Sequence, residues 1–93
     1  MQMFNPAHPG EILRDYMGDK ITVTGLAAHL GCNRAHLSAI LNGRSSVTPK
    51  MSMMLAETFG TSDDLWFGLQ QQYDMAQARR MKRTKVRPLA VAA

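Results

Sequence analysis

The stretch from Thr22 to Gly43 (TVTGLAAHLGCNRAHLSAILNG) leaves this chain little choice of fold, because it reads as two short amphipathic helices joined at Gly31. Gly31 can take the left-handed conformation that ends the first helix and turns the chain. Ala27, four residues earlier, faces the second helix, where a larger side chain would push the pair apart. Leu26, Leu30, Cys32, Leu37 and Ile40 supply the apolar contacts that fix the crossing, with Cys32 read as a small buried hydrophobe. A helix-turn-helix of this kind places its second helix in the major groove of DNA.

That second helix can be read residue by residue. Asn33 is its expected N-cap, and residues 34–42 give about two and a half turns before Gly43. At about 100° per residue, Leu37, Ile40 and Leu41 fall on the buried side. Arg34, Ala35, Ser38, Ala39 and Asn42 fall on the opposite side. That exposed face is small, nearly flat and neutral except for Arg34, whose guanidinium suits a bidentate contact with guanine. The bland alternative is a merely solvated helix face. Thr22 is the expected N-cap of the first helix, and its hydroxyl and the free N–H groups beside it suit a phosphate. His36 flanks the buried side and is placed to reach a phosphate. His29 is read as a solvent-facing helix residue.

Helices also frame the motif. His8-Pro9-Gly10-Glu11 opens one, with proline suited to a first turn and Glu11 to the positive helix end; Gly18 closes it. Ile12, Leu13, Tyr16 and Met17 form its apolar face. Thr48-Pro49 starts a fourth helix along which Met51, Leu55 and Phe59 repeat, and Gly60 ends it. A fifth begins at Ser62-Asp63-Asp64 and runs roughly to Arg80, with Leu65, Trp66, Leu69, Tyr73 and Ala76 as its stripe. The expected fold is all-α: five helices over residues 1–78, and a flexible basic tail, with the end of the fifth helix, over residues 79–93.

Charge is divided along the same line. Residues 1–78 hold Arg14, Lys20, Arg34, Arg44 and Lys50 against seven acids, a balance of −2. Residues 79–93 hold Arg79, Arg80, Lys82, Arg83, Lys85 and Arg87 with no acid, so +6 of charge sits in the tail of a chain whose net charge is +4. Polyanion binding and plain solvation both account for such a run.

Other classes fare worse. The single cysteine excludes an internal disulfide, no apolar run approaches a membrane span, and the N-terminus lacks a signal-peptide layout. A cytoplasmic protein is expected. His8, His29 and His36 share no metal spacing, the acids form no evident catalytic pair, and no glycine-rich phosphate loop is present, so neither an enzyme nor a metal or cofactor is expected. Surplus apolar residues point instead to partners. Phe67, Met75 and Ala78 on the fifth helix, Met53 and Met54 on the fourth, and Trp66 form an expected dimer or partner surface. A twofold dimer is the leading explanation, since helix-turn-helix proteins commonly read paired half-sites.

In order along the chain, His8-Pro9-Gly10-Glu11-Ile12-Leu13, Leu26-Ala27 with Leu30-Gly31, Leu37-Ser38 with Leu41-Asn42-Gly43-Arg44, Thr48-Pro49 with Met51, and Leu65-Trp66 with Leu69-Gln70 and Tyr73-Asp74 resemble the HigA-type antitoxins. These belong to the phage-repressor-like (XRE/Cro) helix-turn-helix superfamily, and the resemblance spans about residues 6–79. It implies a repressor-like dimer that binds operator DNA, represses its own toxin–antitoxin operon and neutralises a cognate toxin of the mRNA-interferase type. It carries over Arg34, Ala35, Ser38 and Ala39 as base-reading positions. Thr22, Asn33, His36, Asn42 and Arg44 are the expected phosphate-contacting set. Alanine at 35 and 39 shifts readout toward thymine methyls and DNA shape. A stand-alone regulator without a toxin and a protein-only adaptor are the competing expectations.

Overall fold

The computed structural model describes residues 5–90. It contains α1 (Pro9–Met17), α2 (Val23–Leu30), α3 (Arg34–Leu41), α4 (Pro49–Phe59) and α5 (Leu65–Arg80), and no strand among the described residues. The outermost residues of the expected domain and tail, 1–4 and 91–93, lie outside the described residues. Side-chain caps start four of the helices. His8 Nδ1 accepts from Gly10 N, Thr22 Oγ1 from Gly25 N, Asn33 Oδ1 from Ala35 N and Thr48 Oγ1 from Met51 N. Three helices close at glycines with positive φ, and Gly31 (φ 71°) makes the turn between α2 and α3.

The core is one cluster with Leu37, Ile40, Leu55 and Trp66 at its centre, each without exposed surface. α3 packs on α1 and α2, and α4 and α5 close the other side. Ala27 is enclosed beside α3, as its place in the motif requires. The closest approach is at Gly10, where an added Cβ would lie 2.1 Å from the Ile40 carbonyl oxygen and 3.0 Å from Leu41 Cα. The first turn of α1 therefore rests directly on the backbone of the last turn of α3. A side chain here would drive the recognition helix away.

Four side chains depart from the sequence pattern. Trp66, expected on the partner surface, is fully enclosed: its ring packs on Tyr16 (5.2 Å between centroids) and Phe59 (6.2 Å), and Nε1 donates to Thr61 Oγ1. It belongs to the hydrophobic core and leaves the partner set. Ser52 and Gln70 are buried polar residues inside stripes that read as apolar. Ser52 Oγ donates to the Asp63 carbonyl and accepts from Phe67 N, while Gln70 Oε1 accepts from Val47 N and Nε2 donates to Asp74. Both tie α4 and α5 to their loops, and each meets the requirement that buried polar atoms be paired. Cys32 is half-buried rather than enclosed.

His8 gathers three parts of the fold. Its ring is buried, caps α1, hydrogen bonds the backbone of Ser45 in the α3–α4 loop, and meets Tyr73 of α5 edge-on at 4.9 Å. Burial holds its pKa below the ordinary 6.5, against smaller upward pulls from the Ser45 hydrogen bond, Asp74 and Glu11.

This packing makes stability sensitive at positions 10 and 8. Gly10→Ala gains about 1 kcal/mol of helix propensity, but the clash with fixed backbone outweighs it. A net loss of about 1–3 kcal/mol is expected, read as a fall of several degrees in the melting temperature. For His8, the unfolded chain takes up the proton first as the pH falls. Stability is complete above about pH 6.5 and declines between 6.5 and the lower folded value. Melting temperature should drop on going from about pH 7.5 to about 5.5. His8→Asn, which can cap without titrating, should flatten that dependence; an equally steep profile would assign the effect to other groups.

Candidate nucleic-acid interface

The exposed side of α3 carries the expected face. Arg34 and Ala35 are exposed, and Ser38 and Ala39 are half-buried. Leu37, Ile40 and Leu41 point inward, so the two sides of the helix separate as its period requires. Arg34 is held in place: its Nε donates to Thr24 Oγ1 at 2.9 Å. That bond comes from the second position of α2. It leaves the two terminal amino groups of the guanidinium for an external acceptor pair, the fork that matches guanine O6 and N7.

At the other end of α3, Arg14 of α1 donates from Nε to the Leu41 carbonyl at 3.3 Å and from Nη2 to Asn42 Oδ1 at 2.9 Å. A cation at a helix C-terminus is favoured by the helix dipole, and it satisfies a carbonyl that α3 leaves unpaired. Asn42 Nδ2 in turn donates to Ser38 Oγ at 3.4 Å. Ser38, Asn42 and Arg14 thus form a polar line along one edge of α3. Asn42 uses its oxygen internally, so toward a phosphate only its amide hydrogens are donors.

The other residues expected at phosphates surround this face. Thr22 Oγ1 accepts from Gly25 N at 3.0 Å and keeps its own hydrogen to donate outward. Asn33 Oδ1 is taken by Ala35 N at 2.7 Å, leaving its amino group free to donate. His36 and Arg44 are exposed, and His29 faces solvent. Together α2's start, the ends of α3 and the loop after it present donors around a nearly neutral centre. No group of three His, Cys, Asp or Glu side chains among the described residues is arranged to hold a metal ion. No described helix is long and apolar enough to cross a membrane.

Residues 19–66, just over half of the chain, match the family model described as helix-turn-helix. The chain belongs to that family. Virulence-associated protein A' of Dichelobacter nodosus is 39% identical over 95% of this chain and 78% of its own length. Among solved structures, an addiction-module antidote protein of the HigA family from Coxiella burnetii is 42% identical, with a TM-score of 0.76 over 80% of this chain and 83% of that one. The Pseudomonas aeruginosa antitoxin HigA, solved with the higBA promoter, is 34% identical, with a TM-score of 0.74 over 80% and 83% of the two chains. The fold of this helix-turn-helix protein is that of the repressor-like antitoxins, and the expected HigA-type resemblance holds.

Sequence reasoning missed Thr24 and Arg14. Both act through partners distant in the chain, and helical periodicity carries no signal for such pairs. Their roles divide cleanly in a binding titration. Arg34→Ala should cost about 1–3 kcal/mol on a cognate duplex and relax preference at one base position. Thr24→Val keeps the charge and removes only the Nε anchor, so a smaller loss of about 0.5–1.5 kcal/mol, confined to the cognate duplex, is expected. Equal losses for Arg34→Ala on cognate and scrambled DNA would reduce that arginine to a phosphate contact.

Proposed function

We propose that this protein is a cytoplasmic, non-enzymatic antitoxin that binds operator DNA as a twofold dimer, represses its own operon and neutralises a cognate toxin. The observation that carries the DNA-binding part is the α3 face. Arg34 is anchored by Thr24 at one end, and Asn42 by Arg14 at the other, on a framework shared with an antitoxin solved on its promoter. Arg34, Ala35, Ser38 and Ala39 read bases; Thr22, Asn33, His36, Asn42 and Arg44 hold phosphates. Two recognition helices about 34 Å apart then face successive major grooves.

Dimerisation is supported by apolar surface on α4 and α5. Met53 and Met75 are each about half exposed, at 53% and 51%, and Ala78 is exposed beside Met75. Phe67 is half-buried and completes this set, whereas Met54, expected with it, packs against the core and leaves the partner surface. The toxin part of the proposal rests on solved neighbours named as antidote proteins and antitoxins, and an mRNA interferase is the toxin class proposed. A stand-alone regulator is the second reading, favoured by curated relatives from Escherichia coli described as uncharacterized transcriptional regulators.

Two measurements test these parts together. Sedimentation of the unmodified protein is expected to give a dimer, and Met75→Glu to give folded monomers with weakened DNA binding. The reading frame next to this gene, co-expressed with it, should yield a complex that co-purifies and relieves growth arrest caused by that frame alone. A dimer that binds the DNA upstream of its own coding sequence but has no toxic neighbour would establish the regulator instead.

A further inference from the structure

The tail is the one strongly charged feature that the recognition-helix reading does not use, and its point of departure is informative. Residues 82–90 form no helix, and residues 81–90 are exposed throughout. They leave α5 at Arg80, whose guanidinium donates to Asn5 Oδ1. Arg80 and Gln77 line one hollow with Arg14, Asn42 and Gly43, so α5 ends beside the C-terminal end of the recognition helix. Where the chain leaves α5, Met81, Lys82, Arg83 and Lys85 line a second hollow with Met75, Ala78 and Arg79. Met75 and Ala78 belong to the apolar face proposed above to meet a second copy.

Charge makes the position consequential. Through the end of α5 at Arg80, seven Lys and Arg residues balance seven acids, so the helical body has no net charge with which to attract a polyanion at long range. Six cations and no acid follow from Arg79 onward. Ten residues of extended chain reach about 33 Å, roughly one turn of duplex. A segment rooted between the α5 face and the end of α3 has phosphates within that distance whenever α3 lies in the groove.

We infer that residues 82–87 are a second DNA-contacting element, which holds phosphates of the operator between the two recognition helices and supplies most of the salt-dependent affinity. This rests on the proposal that α3 docks in the major groove. The four tail cations Lys82, Arg83, Lys85 and Arg87 act by counterion release, so they add affinity on any sequence and leave the choice of site to Arg34. A phosphate-holding tail of this kind also explains how a helical body without net charge is drawn to DNA.

The test uses the full chain with Lys82, Arg83, Lys85 and Arg87 all changed to Gln, leaving Arg79 and Arg80 in place. Binding is measured against salt on the duplex immediately upstream of the gene and on a scrambled duplex of equal length. Removing one phosphate contact lowers the slope of log affinity against log salt by about 0.9. With two contacts per tail and two tails, the slope should fall by about 3–4 on both duplexes. The unmodified protein would then lose roughly a hundredfold more affinity than the variant between about 50 and 200 mM salt. The ratio of upstream to scrambled affinity should be unchanged. Equal slopes would overturn the inference and leave the run a solvated tail. A collapsed ratio with an equal slope would also overturn it, because the tail would then be reading bases. Failure of the groove-docking proposal is seen separately, as a ratio near one for the unmodified protein, while the slopes on scrambled DNA still report on the tail.

Discussion

The contact between the first turn of α1 and the last turn of α3 sets the geometry on which the DNA face depends. It is backbone against backbone, possible only because position 10 lacks a Cβ. Around it, His8 caps α1 while holding Ser45 and Tyr73, and Arg14 caps α3 while holding Asn42. The recognition helix has only eight residues, too few to be stable alone. Its direction in space is therefore dictated by α1 at its C-terminal end and by α2, through Ala27 and Thr24, at its start. The His-Pro-Gly-Glu opening is best understood as the seat of that helix.

This explains which parts of the structure were legible in the sequence. Caps and glycine stops are local, and Thr22, Asn33, Thr48, Gly31 and Gly60 each mark a helix end within a residue of the observed one. The division of α3 into an apolar and a small polar face follows from period alone. Ser52 and Gln70 were not legible, because a polar side chain in an apolar stripe is buried only if a partner from another element meets it. Here the partners are Asp63, Phe67 and Val47. Trp66 lies at a stripe position next to Phe67, and periodicity is compatible with either the core or the surface there. The aromatic contacts with Tyr16 and Phe59 decide for the core.

Electrostatics separates the chain more sharply than secondary structure does. The acids fall on the helical body and six of the eleven Lys and Arg residues fall after Ala78. Arg14, Arg34 and Arg80 are each bound to a neighbour within the fold, so their charges also serve as structural pins. In the proposed mode of binding, site selection and raw attraction to DNA fall to different segments. Phosphate contacts hold a protein to DNA without reading it, and base contacts read without adding much salt-dependent affinity. A segregated layout lets each be adjusted with little effect on the other.

The sparse chemistry of the α3 face has a quantitative consequence. One bidentate arginine contact discriminates by about 1–3 kcal/mol. Specific over nonspecific binding commonly spans about 4–10 kcal/mol. In the proposed docking, Ala35 and Ala39 add only methyl contacts, so a single copy falls short of that range. In the proposed dimer, two copies with their Arg34 residues in successive grooves reach about 2–6 kcal/mol, which overlaps its lower half. The remainder is available from the duplex itself, since holding two half-sites at a fixed separation makes affinity depend on how readily the intervening steps bend and twist. A flat alanine-bordered face thus favours a reader in which dimer geometry and DNA deformability contribute about as much as hydrogen bonds to bases. The rigidity of the Gly10 seat is what makes that separation definite, because a recognition helix free to tilt would accept many spacings and distinguish none.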